Sequence, residues 1–203
     1  PYLLPDGRHR IEIRADDFRI SRFKQKTTST TIFVVDASGS SALHRLAEAK
    51  GAVEIILSEC YVRRDHVALI AFRGTTAETL LPPTRSLTRA HRSLAALPGG
   101  GGTPLANAIE SAVQLAATQK QKGISPTVVL LTDGKANIAR DGKPGRKQAL
   151  ADARDAAAGL RALGINALLI DTSPRRNAEA EELATAMAAR YMPLPHADSA
   201  RLS

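Results

Sequence analysis

Two kinds of apolar pattern alternate along most of this chain. Short, nearly continuous apolar runs lie at 31–35, 66–72, 127–131 and 165–170, and such runs are typical of strands covered on both faces of a sheet. Between them apolar residues recur every three or four positions, which predicts helices at about 42–58, 85–96, from 104, 147–163 and 177–190. Strands that alternate with helices predict a mostly parallel central sheet with helices on both faces.

One connection departs from this alternation and predicts an antiparallel edge. The run at 66–72 is followed by a tight turn at 73–76 and a short apolar segment at 77–81. Pro82 and Pro83 follow directly, and we expect them to end that strand because proline cannot donate to a strand ladder. Near the other end, residues 191–194 are a candidate for a further edge strand.

The N-terminal stretch has a different pattern. Polar and apolar residues alternate with period two at 10–14 and again at 18–23, on either side of a polar turn, which predicts a β-hairpin. We therefore divide the chain into a basic N-terminal β extension over 1–27 and an α/β domain over 28–203. The chain lacks an initiator Met, so we expect a fragment or a processed product.

Composition limits the classes of protein. Apolar residues make up 43% of 203 positions but aromatic residues only 3%, so the core must consist of aliphatic side chains. No apolar stretch approaches the ~20 residues of a membrane span, and no signal peptide is recognisable. The single cysteine, Cys60, excludes an internal disulfide and suits a reducing cytosol. We expect Cys60 to be a buried small hydrophobe at a helix end, and a cytoplasmic protein, or one of the plastid stroma in a plant or alga.

The chain is basic, with a formal net charge of +8. Part of this charge is clustered at Arg8, Arg10, Arg14, Arg19, Arg22, Lys24 and Lys26. Nucleic acid is one class of partner for such a segment, but aromatic residues are sparse and no nucleic-acid motif is present. An acidic protein partner is therefore the better expectation, with no nucleic acid and no membrane span.

Short oxygen-bearing side chains follow two of the predicted strands and precede a helix. Asp36, Ser38 and Ser40 come after the run at 31–35, Asp133 comes after the run at 127–131, and Thr103 closes a tetraglycine loop. An open α/β sheet collects ligands at the carboxyl ends of its strands. Carboxylate and hydroxyl oxygens are donors that Mg²⁺, Mn²⁺ and Ca²⁺ prefer. The pattern therefore predicts a divalent-metal site.

Each of these residues also has a purely structural interpretation. The Asp-x-Ser-x-Ser segment can be a turn and cap, Thr103 a helix N-cap with Pro104 at the first helical position, and Asp133 a turn residue before Gly134. The metal interpretation is favoured because three separate loops converge on one sheet edge. Other sites are excluded: no Gly-Lys-Ser/Thr follows the glycine loop, so no ATP site is expected, and the histidines lack zinc spacing.

The five residues match the metal-ion-dependent adhesion site of the von Willebrand factor A domain, also called the integrin I domain, so the chain resembles that Rossmann-like α/β family. The resemblance implies that Ser38 and Ser40 bind a Mg²⁺, Mn²⁺ or Ca²⁺ ion through their hydroxyls. It implies that Thr103 binds directly or through water, and that Asp36 and Asp133 bind directly or hold coordinated waters. An acidic side chain from another protein would then complete the coordination.

The flanking sequence resembles one branch of this family. It is similar to the C-terminal region of the magnesium chelatase D subunit, and the similar segments are 14–26, the run into Asp36, 97–106 and 131–137. That family inserts Mg²⁺ into protoporphyrin IX, driven by ATP, in chlorophyll and bacteriochlorophyll biosynthesis. The resemblance implies that its D subunit couples the AAA+ ATPase, which is the I subunit, to the porphyrin-binding H subunit.

Three functions follow from this resemblance. The first is a non-catalytic, metal-dependent docking domain of the chelatase, within a larger protein that is part of an ATP-dependent ligase. The second is a direct role in which the bound Mg²⁺ is delivered to the porphyrin, although no axial base or large apolar pocket is visible. The third is a generic adhesion or scaffold domain without a tetrapyrrole. We favour the docking domain.

Overall fold

The computed structural model describes residues 2–3, 9–10, 28–38, 53, 55–97 and 99–194. The strands are β1 (Tyr2–Leu3), β2 (His9–Arg10), β3 (Ser29–Asp36), β4 (His66–Arg73), β5 (Thr76–Thr84), β6 (Ser125–Thr132), β7 (Asn166–Asp171) and β8 (Arg190–Pro193). The helices are α1, described over 55–63, α2 (Leu87–Ala95), α3 (Leu105–Gln121), α4 (Arg146–Ala162) and α5 (Ala178–Met187).

Six of these strands form the central sheet, in the order β5-β4-β3-β6-β7-β8. All neighbouring pairs in it are parallel except β4 with β5, which is antiparallel. The prediction of a mostly parallel sheet with one antiparallel edge is therefore confirmed. The chain runs from β3 to one side of the sheet and later returns through β6 to the other side. The strand order thus reverses between β3 and β6, where open α/β sheets bind ligands.

The continuous apolar runs reflect burial on both faces of the sheet. In β3, Ile32 and Val34 belong to one core cluster while Phe33 and Val35 belong to the other. The first cluster contains buried residues of α3, α4 and α5, and the second contains buried residues of α1 and α2. Since successive strand residues point to opposite faces, a continuous apolar run supplies buried side chains to both clusters.

The two prolines do not end the edge strand, contrary to the prediction. β5 runs to Thr84, and its register with β4 is shifted between Val67 and Leu69, so that neither Pro82 nor Pro83 pairs with a β4 residue. Because β5 is an edge strand and its ladder is irregular at this point, the missing proline N–H groups leave no ladder position unsatisfied.

Several element bounds also differ from the predictions. The first helix continues to residue 63, so Cys60 lies within it, buried, and its thiol donates to Thr31 Oγ1 at 3.2 Å. The last helix ends at Met187, because Ala188 adopts a left-handed conformation with φ of 53°. This early end releases the chain to form β8, which confirms the candidate edge strand and pairs in parallel with β7.

The N-terminal stretch is described only in part. β1 and β2 form an antiparallel pair in which Tyr2 pairs with Arg10. The hairpin predicted over 10–14 and 18–23 lies outside the described residues except for Arg10. None of the described helices is both long and apolar enough to cross a membrane.

The core predicts how truncations of apolar side chains affect stability. Leu130 in β6 is 1% exposed, so Leu130→Ala should lower the free energy of unfolding by about 2–5 kcal/mol, through lost burial and a residual cavity. Val62 on α1 is 81% exposed, and Val62→Ala should change the free energy of unfolding by less than about 0.5 kcal/mol. Denaturant unfolding of the two variants measures these changes. A similar loss of stability in both would contradict the burial of Leu130 and the exposure of Val62.

Candidate metal centre

The pairing of β3 with β6 brings two carboxylates to one edge of the sheet. Asp36 is the last residue of β3, and Asp133 directly follows β6. The strands are parallel neighbours with Val35 opposite Leu131, so both side chains leave the sheet at the point where the strand order reverses. The charge of Asp133 acts on Asp36. The predicted convergence of these two residues is therefore present in the structure.

The Asp36 carboxylate is held by two groups. Its Oδ1 accepts a hydrogen bond from the Ser38 backbone N–H at 2.9 Å, and its Oδ2 accepts one from Thr132 Oγ1 at 3.2 Å. Thr132 is fully buried, and its hydroxyl also accepts from the Gly134 N–H at 3.1 Å. Thr132 was not among the predicted site residues. The only sign of it in the sequence is a polar residue directly after an apolar run.

Two hydroxyls from different loops meet beside this carboxylate. Ser38 Oγ lies 2.7 Å from Thr103 Oγ1, and each residue is 6% exposed. A hydroxyl has one proton and two lone pairs, so the hydrogen bond between them leaves oxygen lone pairs available to a cation. Because each hydroxyl comes from a separate segment, the contact depends on the tertiary fold.

Thr103 is not the N-cap of α3, so the purely structural interpretation of this residue is wrong. The cap position is Pro104 and has no side-chain cap, and the helix begins one residue later at Leu105. Thr103 is instead fixed through its backbone: its N–H donates to Asn137 Oδ1 at 2.7 Å, and its carbonyl accepts from the Asn137 N–H at 3.3 Å. These bonds free the hydroxyl to face Ser38. The role of Asn137 was not predicted.

The glycine loop needs its small residues because it packs closely against neighbouring backbone. A Cβ on Gly102 would lie 2.5 Å from Ile138 Cγ1 and 2.6 Å from the Gly74 carbonyl oxygen. The Gly100 N–H donates to the Ala37 carbonyl at 3.0 Å. The loop that carries Thr103 is thus fixed against the segment after β3 and against the β4–β5 turn.

Asp133 is held from two sides. Its Oδ1 accepts from the Lys135 backbone N–H at 3.2 Å, and its Oδ2 lies 3.3 Å from Lys135 Nζ. Its carbonyl accepts from Asn177 Nδ2 at 2.6 Å. The Asp133 side chain is 8% exposed and that of Lys135 57%, so the flexible ammonium approaches the carboxylate from the solvent side.

The electrostatics of the site favour a bound cation. Burial, and to a smaller extent the charge of Asp133, raise the pKa of Asp36 to about 6, although hydrogen bonds from Ser38 and Thr132 oppose that rise. A carboxyl group whose pKa is raised by folding destabilises the folded state as pH rises from its unfolded pKa of 3.8, and the full cost is present above the folded pKa of about 6. A cation between the two carboxylates would offset this cost.

The donor set fits a hard divalent ion. Two carboxylates and two hydroxyls are all oxygen donors, and Mg²⁺ binds through one or two carboxylates while keeping several waters. Over the described residues, no three His, Cys, Asp or Glu side chains form a metal cluster. Ser40 lies outside the described residues, and its role as a ligand stays a prediction.

Asp171 serves the neighbouring loop. Its Oδ1 accepts from the Ser173 N–H at 2.8 Å, and its Oδ2 accepts from the Tyr191 hydroxyl. Burial and this contact raise the pKa of Tyr191 to about 12, so the phenol stays protonated. These contacts, with a further hydrogen bond from the Asn177 N–H to Asp171 Oδ2 at 3.3 Å, fix the loop between β7 and α5.

Comparison with known proteins defines the class. The model of the von Willebrand factor type A domain matches residues 31–135, and the chain belongs to this family. The vWF domain of the type V pili tip protein Mfa5 from Porphyromonas gingivalis has a TM-score of 0.66 at 12% identity, over 82% of this chain and 90% of that one. At this identity the likeness concerns the fold.

Closer relatives confirm the resemblance to magnesium chelatase subunits. The chain is 52% identical over 191 residues to the magnesium-chelatase 60 kDa subunit of Cereibacter sphaeroides. The matched region covers 94% of this chain and 34% of that protein. It is 47% identical over 200 residues to the protein of the same name from Rhodobacter capsulatus, over 98% and 36% respectively. The chain thus spans about a third of the length of these relatives.

The loop after Asp133 predicts a cost for a side chain at Gly134. Its φ is +76°, and a Cβ would lie 2.7 Å from Ala180 N, so Gly134→Ala should destabilise the fold by about 2–4 kcal/mol. Gly123 has a similar φ of +73° with nothing within 4 Å, so Gly123→Ala should cost about 1 kcal/mol. Denaturant unfolding of the two variants separates the cost of close packing from that of backbone strain. An equal loss of stability in Gly134→Ala and Gly123→Ala would contradict the close packing at Gly134.

Proposed function

We propose that this chain is a metal-dependent protein-docking domain of a magnesium chelatase D subunit. The main support is the contact between the Ser38 and Thr103 hydroxyls, 2.7 Å apart, beside two carboxylates where the strand order reverses. A turn or cap function for each residue does not require hydroxyls from two loops to meet.

The ligand charges suit docking better than permanent burial of an ion. Asp36 and Asp133 supply at most two negative charges, and Ser38 and Thr103 are neutral. Because Mg²⁺ takes six oxygen ligands, this set leaves positions for water or for a carboxylate from another protein. The residues of this chain would hold and orient the ion, and the partner's acid would complete its coordination.

The relatives give the proposed system. Proteins named as magnesium-chelatase subunits are similar to nearly the whole chain, so we place the docking function in ATP-driven insertion of Mg²⁺ into protoporphyrin IX. The domain would couple the AAA+ ATPase, the I subunit, to the porphyrin-binding H subunit in chlorophyll or bacteriochlorophyll biosynthesis. In this proposal the chain itself is not catalytic.

The buried carboxylates give a first test, in which Asp36→Asn separates charge from hydrogen bonding. In EDTA the variant should melt above the wild type, because it removes a buried charge while an amide oxygen still accepts from the Ser38 N–H. Mg²⁺ at ten times its Kd should add ~1.4 kcal/mol to the free energy of unfolding of the wild type and so raise its melting midpoint. The melting midpoint of the variant should not change. Thermal denaturation with and without Mg²⁺ measures both effects.

The matched control is Asp155→Asn, which removes an aspartate that is 72% exposed on α4. It should keep the full Mg²⁺-induced shift. A wild type that Mg²⁺ or Mn²⁺ leaves unshifted, or an Asp36→Asn variant that shifts equally, would argue against the metal centre.

A second test addresses docking in the assembled chelatase. Asp36→Ala and Ser38→Ala in the full-length protein should weaken binding to the ATPase and to the porphyrin-binding protein by at least about tenfold, equivalent to ~1.4 kcal/mol. Metal insertion and ATP hydrolysis by the complex should change together with the affinity for these partners. Loss of insertion while partner binding stays intact would refute the docking proposal and favour direct delivery of the ion.

A further inference from the structure

A basic cleft lies beside the candidate metal centre. It has a volume of about 550 Å³ and is lined by the segment 173–179, where α5 begins, together with Lys135 and Arg146. Four cationic side chains line it, Lys135, Arg146, Arg175 and Arg176, against the single carboxylate of Glu179. The lining therefore has an excess of three positive charges.

These cations differ in how far they are already neutralised. Arg146 pairs with Glu179 at 2.6 Å, and Arg176 pairs with Glu181. Arg175 is exposed and has no ion-pair partner within the described part of the chain. The cleft thus presents at least one guanidinium whose charge no carboxylate of the described fold offsets.

The cleft is continuous with the metal centre. Lys135 lines the cleft and lies 3.3 Å from Asp133 Oδ2, and Asn177, which also lines it, donates to the Asp133 carbonyl at 2.6 Å. A partner segment that reaches the metal centre therefore has this cleft within a few residues, because an extended chain advances ~3.3 Å per residue.

The helix end in the cleft is not a vacant anion site. Asn177 caps α5 by accepting from the Glu179 N–H at 3.0 Å, and Glu179 and Glu181 occupy the first turn. These groups already satisfy the positive end of the helix. Anion recognition is left to the side-chain cations, whose separate guanidinium groups can each pair with a carboxylate.

The opposite flank of the metal centre lacks this charge. The cleft there, about 320 Å³ beside the β4–β5 turn, has one cation, Arg73, and one acid, Glu78, among its lining residues. Of these two clefts, the one on the α5 side has the excess of positive charge, which gives a direction to an acidic segment that binds.

We propose that this basic cleft binds acidic side chains of the same partner segment whose carboxylate reaches the metal centre. The partner then presents a short acidic run that extends from the metal centre toward Arg175, rather than one isolated carboxylate. This inference rests on the proposed docking function and adds a second, metal-independent contact to it.

The test uses the full chain and two fluorescein-labelled Gly/Ser peptides, one with a single Asp and one with the same Asp followed by three Glu. In Mg²⁺ at low salt the acid-rich peptide should bind about three to ten times more tightly, as expected for exposed ion pairs. Arg175→Glu should abolish that advantage and leave the affinity for the single-Asp peptide within about twofold. Fluorescence anisotropy measures each affinity.

The matched control is Arg161→Glu, which makes the same change of charge near the far end of α4, roughly 22 Å along the helix from Arg146. It should keep the advantage of the acid-rich peptide. Since Arg175 and Arg161 are both exposed and without ion-pair partners in the described structure, neither reversal breaks an existing ion pair. Arg161 lies in the last turn of α4, where a carboxylate should lower the thermal midpoint slightly, so binding is measured well below the midpoints of both variants.

The outcomes separate this inference from the docking proposal. If Arg175→Glu and Arg161→Glu weaken binding of the acid-rich peptide equally, the cleft proposal is overturned. Mg²⁺-dependent binding of the single-Asp peptide would still support docking. Arg175-dependent binding of the acid-rich peptide in EDTA, without any Mg²⁺ effect, would support the cleft and refute metal-dependent docking. Displacement of the peptide by inorganic phosphate at constant ionic strength would indicate a phosphate site and overturn the inference.

Discussion

The parallel pairing of β3 with β6 is the constraint on which the rest of this structure depends. Both strands are buried on two faces, so their register is fixed by packing against both core clusters. This register sets Asp36 beside the loop of Asp133. A slip of one residue would exchange the faces of every side chain in the strand and separate the two carboxylates.

The sequence predicted the features that depend on local pattern. Continuous apolar runs predicted buried strands, and Asp36 and Asp133 at their ends were predicted to share a sheet edge. Features set by tertiary contact were not predicted: Thr103 has the local pattern of a helix cap, but Asn137, 34 positions away, holds its backbone. Pro82 and Pro83 have the pattern of a strand end because proline lacks an N–H group. The sequence does not show that the ladder of this edge strand is irregular at the same point.

The site combines strong fixation with incomplete charge balance. Asp36 is positioned by Ser38 and Thr132, and Thr103 by Asn137, so the geometry does not need an ion to form it. The two carboxylates nevertheless repel each other in a buried setting. Preorganised oxygen donors with a net negative charge are suited to bind a cation with little rearrangement.

The close approach of the glycine loop to the β4–β5 turn has a mechanical consequence. Gly102 packs against the Gly74 carbonyl so tightly that not even a methyl group fits between them, and the next residue carries one of the paired hydroxyls. The backbone of the edge hairpin therefore limits where the segment with that hydroxyl can lie. A side chain at Gly102 would have to push the hairpin and the Thr103 loop apart, and so disturb the paired hydroxyls from outside the site.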